Sequence, residues 1–297
     1  MSNYELNAIF NAIKDSVRDI SILMRKSNPC QLGSQLGSDN SSGDKVKSLD
    51  IESNNIMKQY MSNCPYICRL ASEEDDNTTL IDPNGHYFVS FDPLDGSSNI
   101  DSNITTGTIY CVFRYNDNND ILSGRQIVMA GYSVYGGSTL LVNCIEGLVQ
   151  IYGLDPDSNN WNLLNNDVEM KQAGSIYAIN ESNKYRYRNS INHYICNLIT
   201  NGYTARWVGS LVADVHRTLI KGGVMMYPSN TKHRNGRIRL LYEAYPMAYI
   251  IESAGGLAYD ENSDLLDAQF PLENDIHMKT PIYVGSSKEM ELLVNYL

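Results

Sequence analysis

No apolar run in this chain of 297 residues reaches the roughly 18 that a helix needs to cross a bilayer, so helical membrane spans are excluded and no membrane partner is expected. The first residues, Met1-Ser2-Asn3-Tyr4-Glu5-Leu6, carry neither a basic stretch nor an apolar one. No secretory leader is read there, and the expected location is the cytoplasm. Positive charge is scarce: 23 Lys and Arg stand against 34 Asp and Glu, a net charge of −11. That balance argues against nucleic acid as a partner. Paired cysteines are missing as well. Cys30, Cys64, Cys68, Cys111, Cys144 and Cys196 include no Cys-x-x-Cys, and Cys64 with Cys68 lacks the second pair that a zinc site requires. They read as reduced, mostly buried thiols rather than a disulfide framework. No internal repeat is present.

The 42% of hydrophobic residues is enough for a large core. Leu6, Ile9, Phe10, Ile13, Val17, Ile20 and Met24 recur at helical spacing and predict a helix over residues 3–27, with Ser2 and Glu5 as a capping box. Residues 28–44 are rich in Gly, Ser, Asn and Gln and read as a mobile loop. Val46, Leu49, Ser53, Ile56 and Tyr60 predict a second helix. Strands follow at 66–72 and 87–91, then a run of strands over 107–154 with turns at 116–120, Gly136-Gly137 and Glu146-Gly147. Residues 155–175 are polar and loop-like, after which strands and helices alternate to a closing helix at 288–296, with Ser286 and Glu289 as a second capping box. The pattern predicts a layered α/β or α+β protein with two subdomains, 1–170 and 171–297.

One segment carries chemistry without help from its context. Phe91-Asp92-Pro93-Leu94-Asp95-Gly96-Ser97-Ser98-Asn99 sets two carboxylates three residues apart and follows them with a turn rich in N–H and hydroxyl donors. The first half suits a divalent cation and the second a phosphate, so a loop holding both suggests metal-assisted phosphate chemistry. Asp44, Asp50, Glu73, Glu74 and Glu243 could join Asp92 and Asp95, and hard oxygen ligands select Mg²⁺ or Mn²⁺. Each of those five has a plain alternative: a solvated turn for Glu73 and Glu74, a salt-bridge partner for Glu243, helix N-terminal acids for Asp44 and Asp50.

The chain resembles the class I fructose-1,6-bisphosphatase family. The likeness is carried in order by Gly43-Asp-Lys-Val-Lys-Ser-Leu-Asp50, Ser72-Glu-Glu-Asp75, residues 91–101, Ala130-Gly-Tyr-Ser-Val-Tyr-Gly136, residues 208–219 and Arg239-Leu-Leu-Tyr-Glu-Ala-Tyr-Pro-Met-Ala248. The Asp-Pro-Leu-Asp-Gly core alone would point only to the wider Mg²⁺-dependent, lithium-sensitive phosphatases. The resemblance implies an α-β-α-β-α sandwich, a homotetramer, and hydrolysis of the 1-phosphate of fructose 1,6-bisphosphate in gluconeogenesis with two or three Mg²⁺ per subunit. It implies metal ligation by Glu73, Glu74, Asp92, Asp95, Glu243 and the Leu94 carbonyl. Asp95, Gly96, Ser97 and Ser98 would hold the 1-phosphate. Asp44 and Asp50 would belong to a loop that closes over the metals, and Glu74, or Asp50 with it, would take the proton of the attacking water.

Asn180, Arg206, Gly209, Ser210, Tyr227 and Arg239 match family positions at the sugar and 6-phosphate end, with Arg206 reaching a neighbouring subunit's site. Three positions depart: Trp207 and Asn183 stand where the family has Tyr, and Arg237 where it has Lys. Two phenols are lost, an Arg fork compensates in part, and altered recognition of the 6-phosphate end is expected. Tyr87 and Arg114 match an AMP site, whereas His86 replaces a Lys and Asn7 a Thr, so AMP inhibition is in doubt. The alternatives are a related bisphosphatase acting on sedoheptulose 1,7-bisphosphate, an inositol-phosphate-type phosphatase, and a non-catalytic regulatory descendant, the last disfavoured by the complete carboxylate set.

Overall fold

The computed structural model describes residues 3–26, 41–115, 121–272 and 275–297, and for residues 3 and 41–47 the backbone alone. Ser2, Cys30, the turn expected at 116–120 and most of the loop expected at 28–44 lie outside the described residues. Helix α1 (Asn3–Lys26) buries Leu6, Ile9, Phe10, Ile13, Val17 and Ile20 along one face. Helix α2 (Ser41–Ser62) begins earlier than Val46 and adds Met57 and Met61 to the same interface.

Both helices cover one face of a large sheet. Its strands are β1 (Ile67–Ser72), β2 (Thr79–Leu80), β3 (Tyr87–Asp95), β4 (Gly107–Arg114), β6 (Ile127–Tyr135), β7 (Thr139–Ile145), β8 (Leu148–Leu154) and β9 (Trp161–Asn165); β5 (Ile121–Ser123) pairs elsewhere. Among the described residues the order is β2-β1-β3-β4-β6-β7-β8-β9, with β1 and β3 parallel and the other neighbours antiparallel. Strand β9 corrects the expectation of a loop over 155–175. As an edge strand exposed along most of its length it shows no buried-exposed alternation, so periodicity does not reveal it. It is tied to α1 by Trp161 Nε1 donating to the Lys14 carbonyl at 3.1 Å.

The second half supplies β10 (Ile176–Ala178), α3 (Asn189–Thr200), β11 (Thr204–Ala205), α4 (Leu211–Lys221), β12 (Val224–Tyr227), β13 (Ile238–Arg239), α5 (Tyr245–Ser253), β14 (Leu257–Tyr259), β15 (Gln269–Pro271), β16 (Lys279–Thr280), β17 (Ile282–Gly285) and α6 (Ser287–Val294). A smaller sheet runs β11-β10-β12-β17-β14. Helices α4 and α5 lie between the two sheets, in the core that holds Phe88, Phe113, Tyr132, Val212, Val215, Tyr245 and Ile251. Helices α3 and α6 close the far side through Ile191, Tyr194, Met290 and Leu293. This is the expected α-β-α-β-α order. The capping box expected at Ser286 and Glu289 is absent. Ser286 Oγ accepts from Gly223 N–H at 3.1 Å and Glu289 Oε1 from Gly174 N–H at 2.8 Å, so tertiary donors have drawn off both side chains.

The acidic motif is the end of strand β3, not a loop, and all nine residues of β3 are buried. Alternation sends Tyr87, Val89 and Phe91 toward α1 and α2, and Phe88 toward the central helices. Ser90 follows Phe88, its hydroxyl donating to the Leu241 carbonyl at 2.9 Å. Asp92 shares that inner face. Asp95, three residues on, would by alternation point the other way. The register forbids this: Asp92 pairs with Ile109 but Asp95 with Gly107, so β3 carries one residue more than β4. This bulge restores Asp95 to the face of Asp92. Pro93 sits in it with no N–H to forfeit, and its carbonyl accepts from Thr108 Oγ1 at 2.8 Å.

Gly107, opposite Asp95, is a close-approach position. A Cβ there would lie 2.1 Å from the Ser133 carbonyl oxygen and 2.9 Å from Val212 on α4. Replacement Gly107→Ala is expected to destabilise the protein by about 2 kcal/mol or more through overpacking. A thermal unfolding scan checks this, the melting temperature falling by several degrees.

Candidate active site

Two chain halves meet at three carboxylates. Asp92 and Asp95 come from the end of β3, and Glu243 from a five-residue π-helical turn, Leu240–Ala244, that leads into α5. The sequence predicts one unbroken helix over 241–253; the π turn replaces its first part, and such turns are frequent at functional sites. Oxygens of Asp92, Asp95 and Glu243 lie within 4.8 Å of one another, all buried. Asp92 Oδ1 accepts from Leu94 N–H at 3.0 Å. Asp95 Oδ2 accepts from Val212 N–H at 3.0 Å, in the first turn of α4, where the helix end favours an anion. Glu243 Oε2 accepts from Arg239 N–H. Arg239 bridges the two halves, its guanidinium 2.8 Å from Glu73 Oε1 and 3.7 Å from Glu243 Oε1.

Burial first, and then mutual repulsion, keeps these groups protonated well above the usual range. Asp92 is raised by burial and by Glu73, Asp95 and Glu243. Asp95 is pushed up to about 6, chiefly by burial, against the pull of the Val212 N–H. Burial pushes Glu243 up to about 8 although Arg239 opposes it. Asp50, on α2, is pushed up to about 6 by burial and by Glu74, while a hydrogen bond with Ser97 acts in the opposite sense. Among the described residues the only cation ion-paired at this cluster is Arg239, through Glu243 and Glu73, so the described site is short of positive charge. An all-oxygen donor set of this kind fits a hard divalent cation.

The rest of the expected carboxylate set is divided. Glu73 is held by Arg239, and Glu74 is exposed at the rim, close enough to act on Asp50. The side chain of Asp44 lies outside the described residues. Asp75 belongs elsewhere: Lys58 Nζ and Asn54 Nδ2 engage it at 2.6 Å and 3.2 Å and pin α2 to the end of β1. Leu49, Leu94 and Ile100 pack together and so seat Asp50 over the turn that follows β3. In that turn Gly96 has φ 76° and opens a short 3-10 turn, Ser97–Asn99. A Cβ on Gly96 would sit 3.4 Å from both Asn99 Nδ2 and Ser210 Oγ. Among the described residues Ser210 Oγ is buried with no hydrogen-bond partner, a polar atom beside Gly96.

Beyond Ser210 the sugar-end residues gather. Tyr227 ends β12, and its hydroxyl is raised by burial and by the charges of Asp95 and Asp214, with Arg237 pulling it down. Trp207 packs on the Tyr227 ring, centroids 4.8 Å apart and tilted 54°. Gly209 has φ 86° and gives its N–H to Asp214. Arg206 is exposed, with its carbonyl held by Arg217 at 2.6 Å. Asn180 caps the turn Glu181–Arg186 through Ser182, and Asn183 Oδ1 accepts from Arg186 at 3.1 Å.

The chain matches known proteins over nearly its whole length. Residues 1–166 match the model described as fructose-1-6-bisphosphatase, N-terminal domain, and residues 170–297 the C-terminal domain. The chain is 40% identical to fructose-1,6-bisphosphatase 1 of Rattus norvegicus over 97% of its own length and 82% of the relative. It is 40% identical to the class 1 enzyme of Sulfurihydrogenibium sp. (strain YO3AOP1) over 96% of this chain and 90% of that one. The crystal structure of Leishmania major fructose-1,6-bisphosphatase in holo form superposes with a TM-score of 0.88 at 35% identity, covering 98% of this chain and 94% of that one. This chain belongs to the fructose-1,6-bisphosphatase family. As a family of phosphatases it depends on divalent metal, which suits the carboxylate cluster.

Within this fructose-1,6-bisphosphatase framework, one organising residue escapes a reading of the sequence. Asp214, fully buried on α4, accepts from Val208 N–H, Gly209 N–H and Arg217 and so shapes the loop that carries Trp207 and Ser210. The only hint is an acid on the apolar side of an amphipathic helix. The nucleotide set is brought together in part. Tyr87 and Arg114 are cross-strand partners, His86 and Asn7 are exposed, and the Tyr87 hydroxyl is engaged by Glu5 of α1 at 3.1 Å.

The raised carboxylates give a definite pH dependence. Asp95 and Glu243 keep their protons to a higher pH folded than unfolded, where carboxyls titrate near about 4. The folded chain therefore binds more protons, and stability without metal is full below about pH 4 and falls as pH rises toward about 8. With a chelator present, the melting temperature is expected to drop from pH 5 to pH 8. Asp92→Asn is expected to flatten that slope and to melt about 3 °C higher at the alkaline end. A rise with pH in the chelated parent would contradict this account.

Proposed function

We propose that this protein hydrolyses the 1-phosphate of D-fructose 1,6-bisphosphate to fructose 6-phosphate and inorganic phosphate, in the cytoplasm and in the gluconeogenic direction. The observation that carries the reading is the joining of Asp92, Asp95 and Glu243 beside Gly96 and the partnerless Ser210 hydroxyl. In this reading Asp92, Asp95, Glu73, Glu74, Glu243 and the Leu94 carbonyl hold Mg²⁺, two or three ions per subunit, with Mn²⁺ as a substitute. The bound ions would lower the pKa of a water molecule and neutralise the phosphate oxygens. The N–H groups and hydroxyls of Gly96, Ser97 and Ser98 receive the 1-phosphate, with Asp95 beside them. Asp50 and Glu74 would take the proton of the attacking water, with Asp44 on the same helix as Asp50. Asp50 is suited to that role because its affinity for a proton lies near neutrality.

The sugar and its distal phosphate fall to Asn180, Trp207, Gly209, Ser210, Tyr227 and Arg237, with Arg206 reaching the site of a neighbouring copy in a homotetramer. Residues 1–170 then carry the metal and 1-phosphate end, save for Glu243 and Arg239, and residues 171–297 the sugar end. Phosphate release from fructose 1,6-bisphosphate, sedoheptulose 1,7-bisphosphate and inositol 1-phosphate is the direct test. The first is expected to be preferred, turnover to require Mg²⁺, and Asp95→Asn to lower kcat at least about a hundredfold. A clear preference for another substrate, or metal-independent turnover, would overturn the assignment.

Regulation by AMP is expected to be weak or absent. The Tyr87 hydroxyl is engaged by Glu5, and a carboxylate at that point disfavours a nucleotide phosphate. An AMP titration in the same assay checks this, and half-maximal inhibition at low micromolar AMP would refute it.

A further inference from the structure

A patch of positive charge stands out on a chain whose net charge is −11. Arg186 ends the turn Glu181–Arg186, and its carbonyl accepts from Thr231 N–H at 3.1 Å, which docks the loop after β12 against that turn. Within the loop, Asn230 Oδ1 accepts from Lys232 N–H and His233 N–H, both at 2.9 Å, so the two side chains are carried on a fixed turn. The turn is anchored further along by Gly236, where a Cβ would lie 2.2 Å from Pro281 N, leaving the chain pressed against the β13–β16 ladder. In that ladder Arg239 and Lys279 are direct cross-strand partners, a like-charge pairing that costs stability unless anions answer it. Arg239 has Glu73 and Glu243. Neither Lys279 nor Arg186, Lys232 or Arg237 makes an ion pair with a described carboxylate.

The four cations lie close enough to His233 for each to act on it. His233 is pushed below its usual range by partial desolvation and by the charges of Arg237, Lys232, Lys279 and Arg186 together. Arg237 acts on Tyr187 and on Tyr227, and Tyr227 in turn feels Asp95. The patch therefore continues from the carboxylate cluster through Tyr227 to Arg237 and on to Arg186. It ends at Asn183, whose side-chain oxygen is held by the Arg186 guanidinium.

We propose that Arg186, with Lys232 and His233, forms the clamp for the distal phosphate of the substrate, extending beyond Arg237 and taking the part of the phenol missing at Asn183. A guanidinium offers that phosphate two charge-assisted hydrogen bonds where a phenol offers one. The clamp deepens the bisphosphatase reading and rests on it for the identity of the ligand.

Calorimetric titration of fructose 6-phosphate into the intact protein with chelator present tests the clamp without turnover. Arg186→Gln, which retains a donor to Asn183, is expected to weaken binding about tenfold. In the assay with Mg²⁺ it should raise KM for the bisphosphate by about the same factor with kcat within about twofold. Lys221→Ala, an exposed cation at the end of α4, is expected to change neither. Lys232→Ala supplies an independent variant if the first proves unstable in a thermal scan, and a weakening of similar direction is expected. Affinity and KM within about twofold of the parent in both variants, with turnover intact, would overturn the clamp and leave the bisphosphatase standing. Fructose 6-phosphate binding that depends on Arg186 in a protein without phosphatase activity would uphold the clamp and overturn the enzymatic reading. Failure of the parent to bind fructose 6-phosphate at all would overturn the clamp.

Discussion

Three carboxylates buried within 4.8 Å of one another set the terms for everything around them. Desolvation and mutual repulsion both oppose their ionisation, and the neighbouring structure is arranged to limit that cost. The first turn of α4 offers Asp95 a backbone N–H, the residue after Pro93 offers another to Asp92, and Arg239 offers its N–H and its guanidinium to Glu243. These donors come from both halves of the chain. The cluster thus acts as a joint between the large sheet and the central helices, and its demand for positive charge is what a hard divalent cation answers.

The geometry of that joint depends on one irregularity in strand β3. A regular strand cannot aim residues 92 and 95 at the same face, because its side chains alternate. The bulge at Pro93-Leu94 inserts the extra residue that brings Asp95 round, and Gly107 across the ladder leaves room for α4 to meet it. The strand then ends at the turn opened by Gly96, so the buried carboxylates and a turn rich in N–H and hydroxyl groups follow each other along the chain. Opposite charge is then concentrated about Arg237 and Arg186, at the other side of Tyr227. A ligand with two phosphates matches this polarity: one end faces carboxylates that need cations, the other faces cations that lack carboxylates.

Much of this was legible beforehand where local rules govern. The apolar stripe of α1 is an i, i+3, i+4 pattern and folded as one. Residues 91–99 declared metal and phosphate chemistry through residue types alone. Legibility failed where a distant partner decides. The edge strand β9 has no alternation because neither of its faces is well buried. Ser286 and Glu289 have the letters of a capping box, yet the N–H groups of Gly223 and Gly174 claim them. The π turn at Leu240–Ala244 is invisible to periodicity, and Asp214 looks like any helical acid until the loop it holds is in place.

The sequence by itself determined the reaction chemistry: hard oxygen donors, a glycine able to take positive φ, and hydroxyls beside it are properties of residue types and spacing. Its resemblance to the fructose-1,6-bisphosphatase family named the rest of the set. Tertiary structure alone decided that Asp92, Asp95 and Glu243 converge, that Glu73 joins them through Arg239, and that the neighbouring Asp75 is turned away to Lys58. It also decided that Arg186, Lys232, Arg237 and Lys279 form one field. The reason is physical: a side chain's charge state and partner depend on what shares its few ångströms of space, and residues more than a hundred positions apart enter that space only when the sheets and helices have packed.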